Sequence, residues 1–168
     1  MDKKESVIKE LGINKPYLLY LGALDPRKGV EDIVDAYSMI EDKYDIQLVL
    51  AGSGEEWADN VLLPKIARLR CADDIIFTGY VSEEQKRALL SMAELFVFPS
   101  EYEGFGIPVL EAMACGVPVI TTDISSLPEV GGDAAFYVSP HEPKELAEAI
   151  VRLLDDSGER RVLSEKGF

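Results

Sequence analysis

Cysteine and histidine are scarce in this 168-residue chain, which has two cysteines, Cys71 and Cys115, and one histidine, His141. Neither number nor spacing suits a zinc site of the usual kind, so no metal is expected. Two distant thiols fit a reducing compartment, and the cytoplasm is the expected location. Positive charge is also in deficit: 17 basic against 31 acidic residues give a formal net charge of -14. That field opposes nucleic-acid phosphates and an anionic membrane surface, so neither is an expected partner. A phosphate bound here has to be held locally, by main-chain amides and a few chosen cations. Long apolar runs are missing too. No stretch reaches the roughly 18 residues of a membrane span, and the opening MDKKESVIKELG has no apolar centre.

What is present is 47% hydrophobic residues arranged in short runs, enough for one domain with a substantial core. Six runs read as strands: YLLYLG (17–22), IQLVLAG (46–52), IIFTG (75–79), LFVFPS (95–100), PVITT (118–122) and AAFYV (134–138). Their nearly continuous apolar character suits parallel strands covered on both faces. Between them, residues 30–42, 62–70, 83–92 and 142–156 carry helical spacing, with Ser82 as a cap and Pro143 in a first turn. Alternation over the whole length predicts an α/β, Rossmann-like doubly wound parallel sheet of about six strands with helices on both faces. Ligands of such sheets lie beyond the strands' carboxyl ends. Both ends look cut from something larger: one short helical turn precedes the first strand, and GERRVLSEKGF is a polar helix-like stretch that stops without a breaker.

The loops at those carboxyl ends hold the candidate chemistry. In SEYEGFGIPVLEAMACGVPVI (100–120), Gly104 and Gly106 open the main chain just before a helix with Pro108 in its first turn. Free amides and the positive end of the helix dipole make that mouth an anion site. Glu111, one turn inside, leans back toward the mouth and suits a ribose diol. Glu103 projects from the loop and suits sugar hydroxyls. Taken singly, Glu103 reads as well as a surface charge, Glu111 as a complement to the helix dipole, and the glycines as a turn. In LGALDPRKGV, Gly22 ends a strand and the adjacent cations Arg27 and Lys28 suit a diphosphate. Gly52 and Ser53 follow the second strand, while Gly79, Tyr80 and Val81 follow the third, where main-chain groups can face a flat base.

In this order the stretches resemble the C-terminal, nucleotide-sugar-binding domain of the group 1 (family 4) retaining glycosyltransferases with the two-domain GT-B architecture, over residues 17–150. The mark of the family is Glu-x7-Glu, here Glu103 to Glu111 followed by AMACGVPVI, supported by GALDPRKG, AGSGEE, FTGYV and LPEV. The resemblance implies that residues 1–168 form a donor-binding domain whose N-terminal acceptor domain is absent. It implies that Glu103 contacts the donor sugar near the reacting centre and that the Gly104, Phe105, Gly106 and Ile107 amides hold sugar and diphosphate. Glu111 would bind ribose, Lys28 and Arg27 would neutralise the diphosphate, and Gly79, Tyr80 and Val81 would border the base. Transfer would proceed with retention and without metal or other cofactor, from a UDP- or GDP-sugar to a sugar, lipid or protein acceptor. Membrane contact, if any, would come through the absent domain. One departure stands out: Ala23 occupies the place where many members carry arginine. A dinucleotide oxidoreductase is disfavoured because GALDPRKG is not G-x-G-x-x-G. A non-catalytic nucleotide-sugar-binding subunit or sensor remains the alternative.

Overall fold

Four of the six apolar runs are buried along their whole length or nearly so, and this sets the order of the sheet. In the computed structural model, which describes residues 3–168, these are β1 (Tyr17–Leu21), β2 (Gln47–Ala51), β4 (Leu95–Phe98) and β5 (Val119–Thr122). The partly exposed β3 (Ile75–Gly79) and β6 (Ala135–Val138) form the edges. The order is β3-β2-β1-β4-β5-β6, and every pair is parallel. The chain winds outward from β1 to β3, returns to lay β4 beside β1, and winds outward again to β6. This is the doubly wound order anticipated from the alternation of runs, with its switch point between β1 and β4.

The helices are α1 (Lys3–Glu10), α2 (Val30–Ile40), α3 (Leu63–Ile66), α4 (Glu83–Met92), α5 (Ile107–Ala114), α6 (Leu127–Gly131), α7 (Pro143–Asp155) and α8 (Ser157–Gly167). Helix α2 packs on α7, α4 packs on α1 and α5, and α5 also meets α6 and α8. Between them lie the fully buried Tyr20, Tyr37, Phe96 and Phe98, with Tyr20 stacked on Phe98 at 5.9 Å. Buried phenols need acceptors, and each finds a carbonyl: Tyr17 donates to Leu89 at 2.7 Å, Tyr20 to Ala23 at 2.6 Å and Tyr37 to Ile46 at 2.7 Å. No helix is long and apolar enough to cross a membrane among the described residues.

Two expectations are corrected, and one motif gains a local structure. The helix read over 62–70 is instead a π-turn, Ala58–Leu62, running into the short α3, because Pro64 has no N–H to continue the ordinary helical ladder. The single turn expected before β1 is an eight-residue helix, α1, held by its buried Ile8. LPEV, read only as a motif, forms most of α6.

Candidate functional site

Because β1 and β4 are neighbours, the loops at their carboxyl ends leave the sheet side by side. Glu101 N–H donates to the Arg27 carbonyl at 2.9 Å across this seam. The approach depends on Gly29, which has φ +69°. A Cβ there would lie 2.2 Å from the Pro99 carbonyl oxygen. Gly52 does the same between β2 and β1, with φ +149° and Gly22 O 1.8 Å from where a Cβ would stand. The loops after three adjacent strands are thereby drawn together.

At the seam, Lys28 Nζ donates to Glu103 Oε1, and Ser100 Oγ donates to the same oxygen at 3.1 Å. The two charged side chains are only 27% and 12% exposed, which rules out a solvated surface role for Glu103. Beside them α5 starts from Gly106, whose φ of 78° turns the chain into the helix without any side-chain cap. Pro108 has no N–H, and Val109 N–H turns back to the Gly106 carbonyl at 3.0 Å. The donors left at this mouth are the amides of Gly104, Phe105, Gly106 and Ile107, next to the Lys28 ammonium. Phe105 and Ile107 keep their own side chains exposed on the rim.

Glu111 is also paired, with Lys86 of α4 at 2.7 Å, and Lys86 meets Glu83 at 3.0 Å. The Glu111 carboxylate holds the Lys86 ammonium above its ordinary pKa. Lys86 enters a cleft of about 280 Å³ bordered by Gly22, Ala23, Gly52, Ser53, Tyr80 and Val81. Gly79 faces an adjoining cavity of about 230 Å³ with Gly52 and Ser53. A larger hollow of about 490 Å³ lies between α1 and α4, away from the strand ends, and gathers none of the motif glycines.

Most of the residues singled out in the sequence therefore converge on one end of the sheet. Arg27 does not join them. Its guanidinium is turned to Asp25, with Nε and Nη2 each 3.1 Å from a carboxylate oxygen, and stays largely exposed. That contact holds the Asp25 carboxyl below its usual range. His141 lies in the loop before α7, with Nε2 3.2 Å from Glu101 Oε1. Lys86 and Ser100 were missed: Lys86 lies inside a helix, where a lysine every few residues is ordinary, and Ser100 is a common strand-end residue. The convergent cations, amides and carboxylates can hold an anion flanked by hydroxyl-bearing groups. Among the described residues, no group of three or more His, Cys, Asp or Glu side chains is gathered to hold a metal ion.

The chain matches the family described as Glycosyl transferases group 1 over residues 2–168. O-antigen chain mannosyltransferase B of Escherichia coli is 38% identical over 154 residues, covering 90% of this chain and 40% of that protein. N-acetyl-alpha-D-glucosaminyl L-malate synthase of Bacillus anthracis is 33% identical over 162 residues, covering 94% and 42%. Among solved structures, Anabaena HepE in complex with UDP-glucose matches with TM-score 0.87 at 24% identity, covering 98% of this chain and 46% of that one. The C-terminal domain of the group 1 glycosyl transferase LpcC from Francisella tularensis matches with TM-score 0.86 at 24% identity, covering 99% and 90%. The chain thus spans about two-fifths of the length of these curated relatives.

Proposed function

Because this chain belongs to the Glycosyl transferases group 1, we propose that it is the donor-binding C-terminal domain of a two-domain, retaining hexosyltransferase that uses a UDP- or GDP-sugar. The observation that carries this reading is the placement of Lys28, Glu103 and the α5 mouth together at the β1/β4 switch point. The diphosphate lies on the Gly104 to Ile107 amides with Lys28 beside it. When the glycosyl bond breaks, negative charge grows on the leaving diphosphate, and fixed amides and an ammonium stabilise it with little reorganisation. Glu103 accepts from hydroxyls of the donor sugar and Glu111 from the ribose. The base lies along Gly79, Tyr80 and Val81 over the cleft that Lys86 enters. The UDP-glucose complex of HepE and the mannosyltransferase relative support a nucleotide-sugar ligand. Arg27 reaches the diphosphate only by leaving Asp25, so Lys28 carries the cationic role in the resting geometry.

The acceptor, a sugar, lipid or protein, is supplied through an N-terminal domain, and the protein acts in the cytoplasm without a metal. This chain alone binds donor but does not turn it over efficiently. A thermal-shift series with UDP, GDP, ADP and NAD tests the reading. A ligand at a hundred times its Kd adds about 2.7 kcal/mol, which raises the Tm of a domain of this size by roughly 5–10 °C. A shift of that size with UDP or GDP is expected. A shift with NAD alone overturns the proposal.

A further inference from the structure

The main chain of Glu103 is held from outside its own loop. Ser125 Oγ donates to the Glu103 carbonyl at 2.8 Å and accepts from Glu103 N–H at 3.4 Å, while Ser126 Oγ donates to the same carbonyl at 2.9 Å. One carbonyl oxygen thus has both lone pairs engaged by neighbouring hydroxyls of the loop between β5 and α6. Both serines sit in unusual circumstances for this contact. Ser125 occupies the left-handed region at φ 57°, which L-residues seldom adopt. Ser126 stands at the N-cap of α6, yet its side chain makes no capping bond there and turns to Glu103 instead.

The loop needs such a hold. Tyr102 and Phe105, which flank the site, are 71% and 61% exposed, and the space around Gly104 is open, so side-chain packing does little to fix Tyr102, Gly104 and Phe105. From inside, Ser100 Oγ reaches the Tyr102 carbonyl at 3.0 Å and the Glu103 carboxylate at 3.1 Å. Most of the diphosphate-binding parts lie outside the serine contact: Lys28 follows β1, and the Gly106 and Ile107 amides are anchored by α5 itself, while only the Gly104 amide shares a peptide unit with the clamped Glu103 carbonyl.

We infer that Ser125 and Ser126 are positioning residues that hold the Glu103 loop for the sugar moiety of the donor, and so weigh on capture of the sugar more than on capture of the nucleoside diphosphate. The inference rests on the proposed role of Glu103 at the sugar.

The test compares the wild-type chain with a Ser125→Gly, Ser126→Ala double variant and with Ser126→Thr. Glycine removes the hydroxyl while easing the left-handed backbone, so a loss cannot be assigned to strain at residue 125. In the ligand-free protein, hydrogen exchange across residues 101–106 is expected to quicken about tenfold in the double variant and to stay near wild type with Ser126→Thr. Titration with UDP against UDP-glucose, and GDP against GDP-mannose, is expected to show sugar-nucleotide affinity falling about fivefold or more while that of the bare diphosphate stays within about twofold. Unchanged exchange overturns the clamp. Parallel losses for diphosphate and sugar nucleotide overturn the division of labour. Failure of the wild type to bind any of the four ligands defeats the proposed function, and the exchange measurement still decides the clamp.

Discussion

Lys28 and Glu103 are the residues at which one substitution reports on folding and on binding together. The lysine ammonium sits against a carboxylate that is only 12% exposed. Truncating the lysine leaves that carboxylate partly buried with Ser100 as its hydroxyl partner, and an uncompensated charge costs more than the pair contributes. Lys28→Ala is expected to lower unfolding free energy by about 1–2 kcal/mol and nucleoside diphosphate affinity by at least about tenfold. Adding Glu103→Ala should restore part of the stability and none of the diphosphate affinity. Urea unfolding and calorimetric titration of the three proteins check this; a double variant less stable than Lys28→Ala would show that the carboxylate is not strained by losing its partner. Both residues were visible in the sequence as strand-end candidates, but their mutual pairing was not, because 75 positions separate them and only the β1/β4 neighbourhood joins them. Arg27 was drawn to the diphosphate by its adjacency to Lys28. Successive residues of the 3-10 turn Pro26–Lys28 point in different directions, and Asp25, which caps that turn, claims the guanidinium.

Among the elements, α4 is the one whose local chemistry was most nearly written in the chain. Ser82 was expected as its cap. The structure adds the reciprocal half, with Ser82 Oγ accepting from Gln85 N–H at 3.2 Å and Gln85 Oε1 accepting from Ser82 N–H at 2.9 Å. Ser82→Ala is expected to cost about 1 kcal/mol. Since α4 also carries Lys86 toward Glu111, fraying of its first turn should weaken nucleoside diphosphate binding by more than the global loss of stability explains. Retained affinity in a destabilised Ser82→Ala chain would separate the cap from the site. Where local chemistry and apolar spacing disagree, the spacing misleads: Leu62, Ile66 and Leu69 have helical periodicity, yet Pro64 removes the donor that would bond the Asn60 carbonyl, and the chain widens into a π-turn. At α1 a polar composition hid eight helical residues, because one buried side chain, Ile8, and contact with α4 are what hold them. The run at α8 gave no apolar signal either; Asp156 caps it, accepting from Glu159 N–H at 2.9 Å, and Ser164 ties it to the Gly116 carbonyl at 2.6 Å.

For the whole molecule, the core concentrates protonated groups that the unfolded chain would release in mild alkali. Strand alternation in the sequence implied the parallel sheet, but which tyrosines lie deepest follows from strand order, and β1 at the centre buries two of them. Burial pushes the phenols of Tyr17, Tyr20 and Tyr37 well above their ordinary range, with the Glu103 and Asp25 charges adding to the effect at Tyr20. Burial, with a hydrogen bond to Glu41, also pushes the Cys71 thiol up to about 12 from an ordinary 9.0. In each case the native state keeps a proton that the unfolded state loses, so stability is present in full below the unfolded pKa and declines as pH rises toward the folded one. The decline should begin near pH 9 with Cys71 and steepen above about pH 10 as the tyrosines join. Each such group contributes a slope of at most about 1.4 kcal/mol per pH unit. The raised pKa of Lys86 acts in the same direction at still higher pH, where the Glu111 pair is lost. Urea midpoints measured from pH 8 to 11 should therefore fall progressively, and Cys71→Ala should delay the onset by about one pH unit while lowering the plateau through its lost packing. A midpoint that stays flat to pH 11, or an onset unmoved by Cys71→Ala, would mean that these groups ionise in the native state as they do in the unfolded chain.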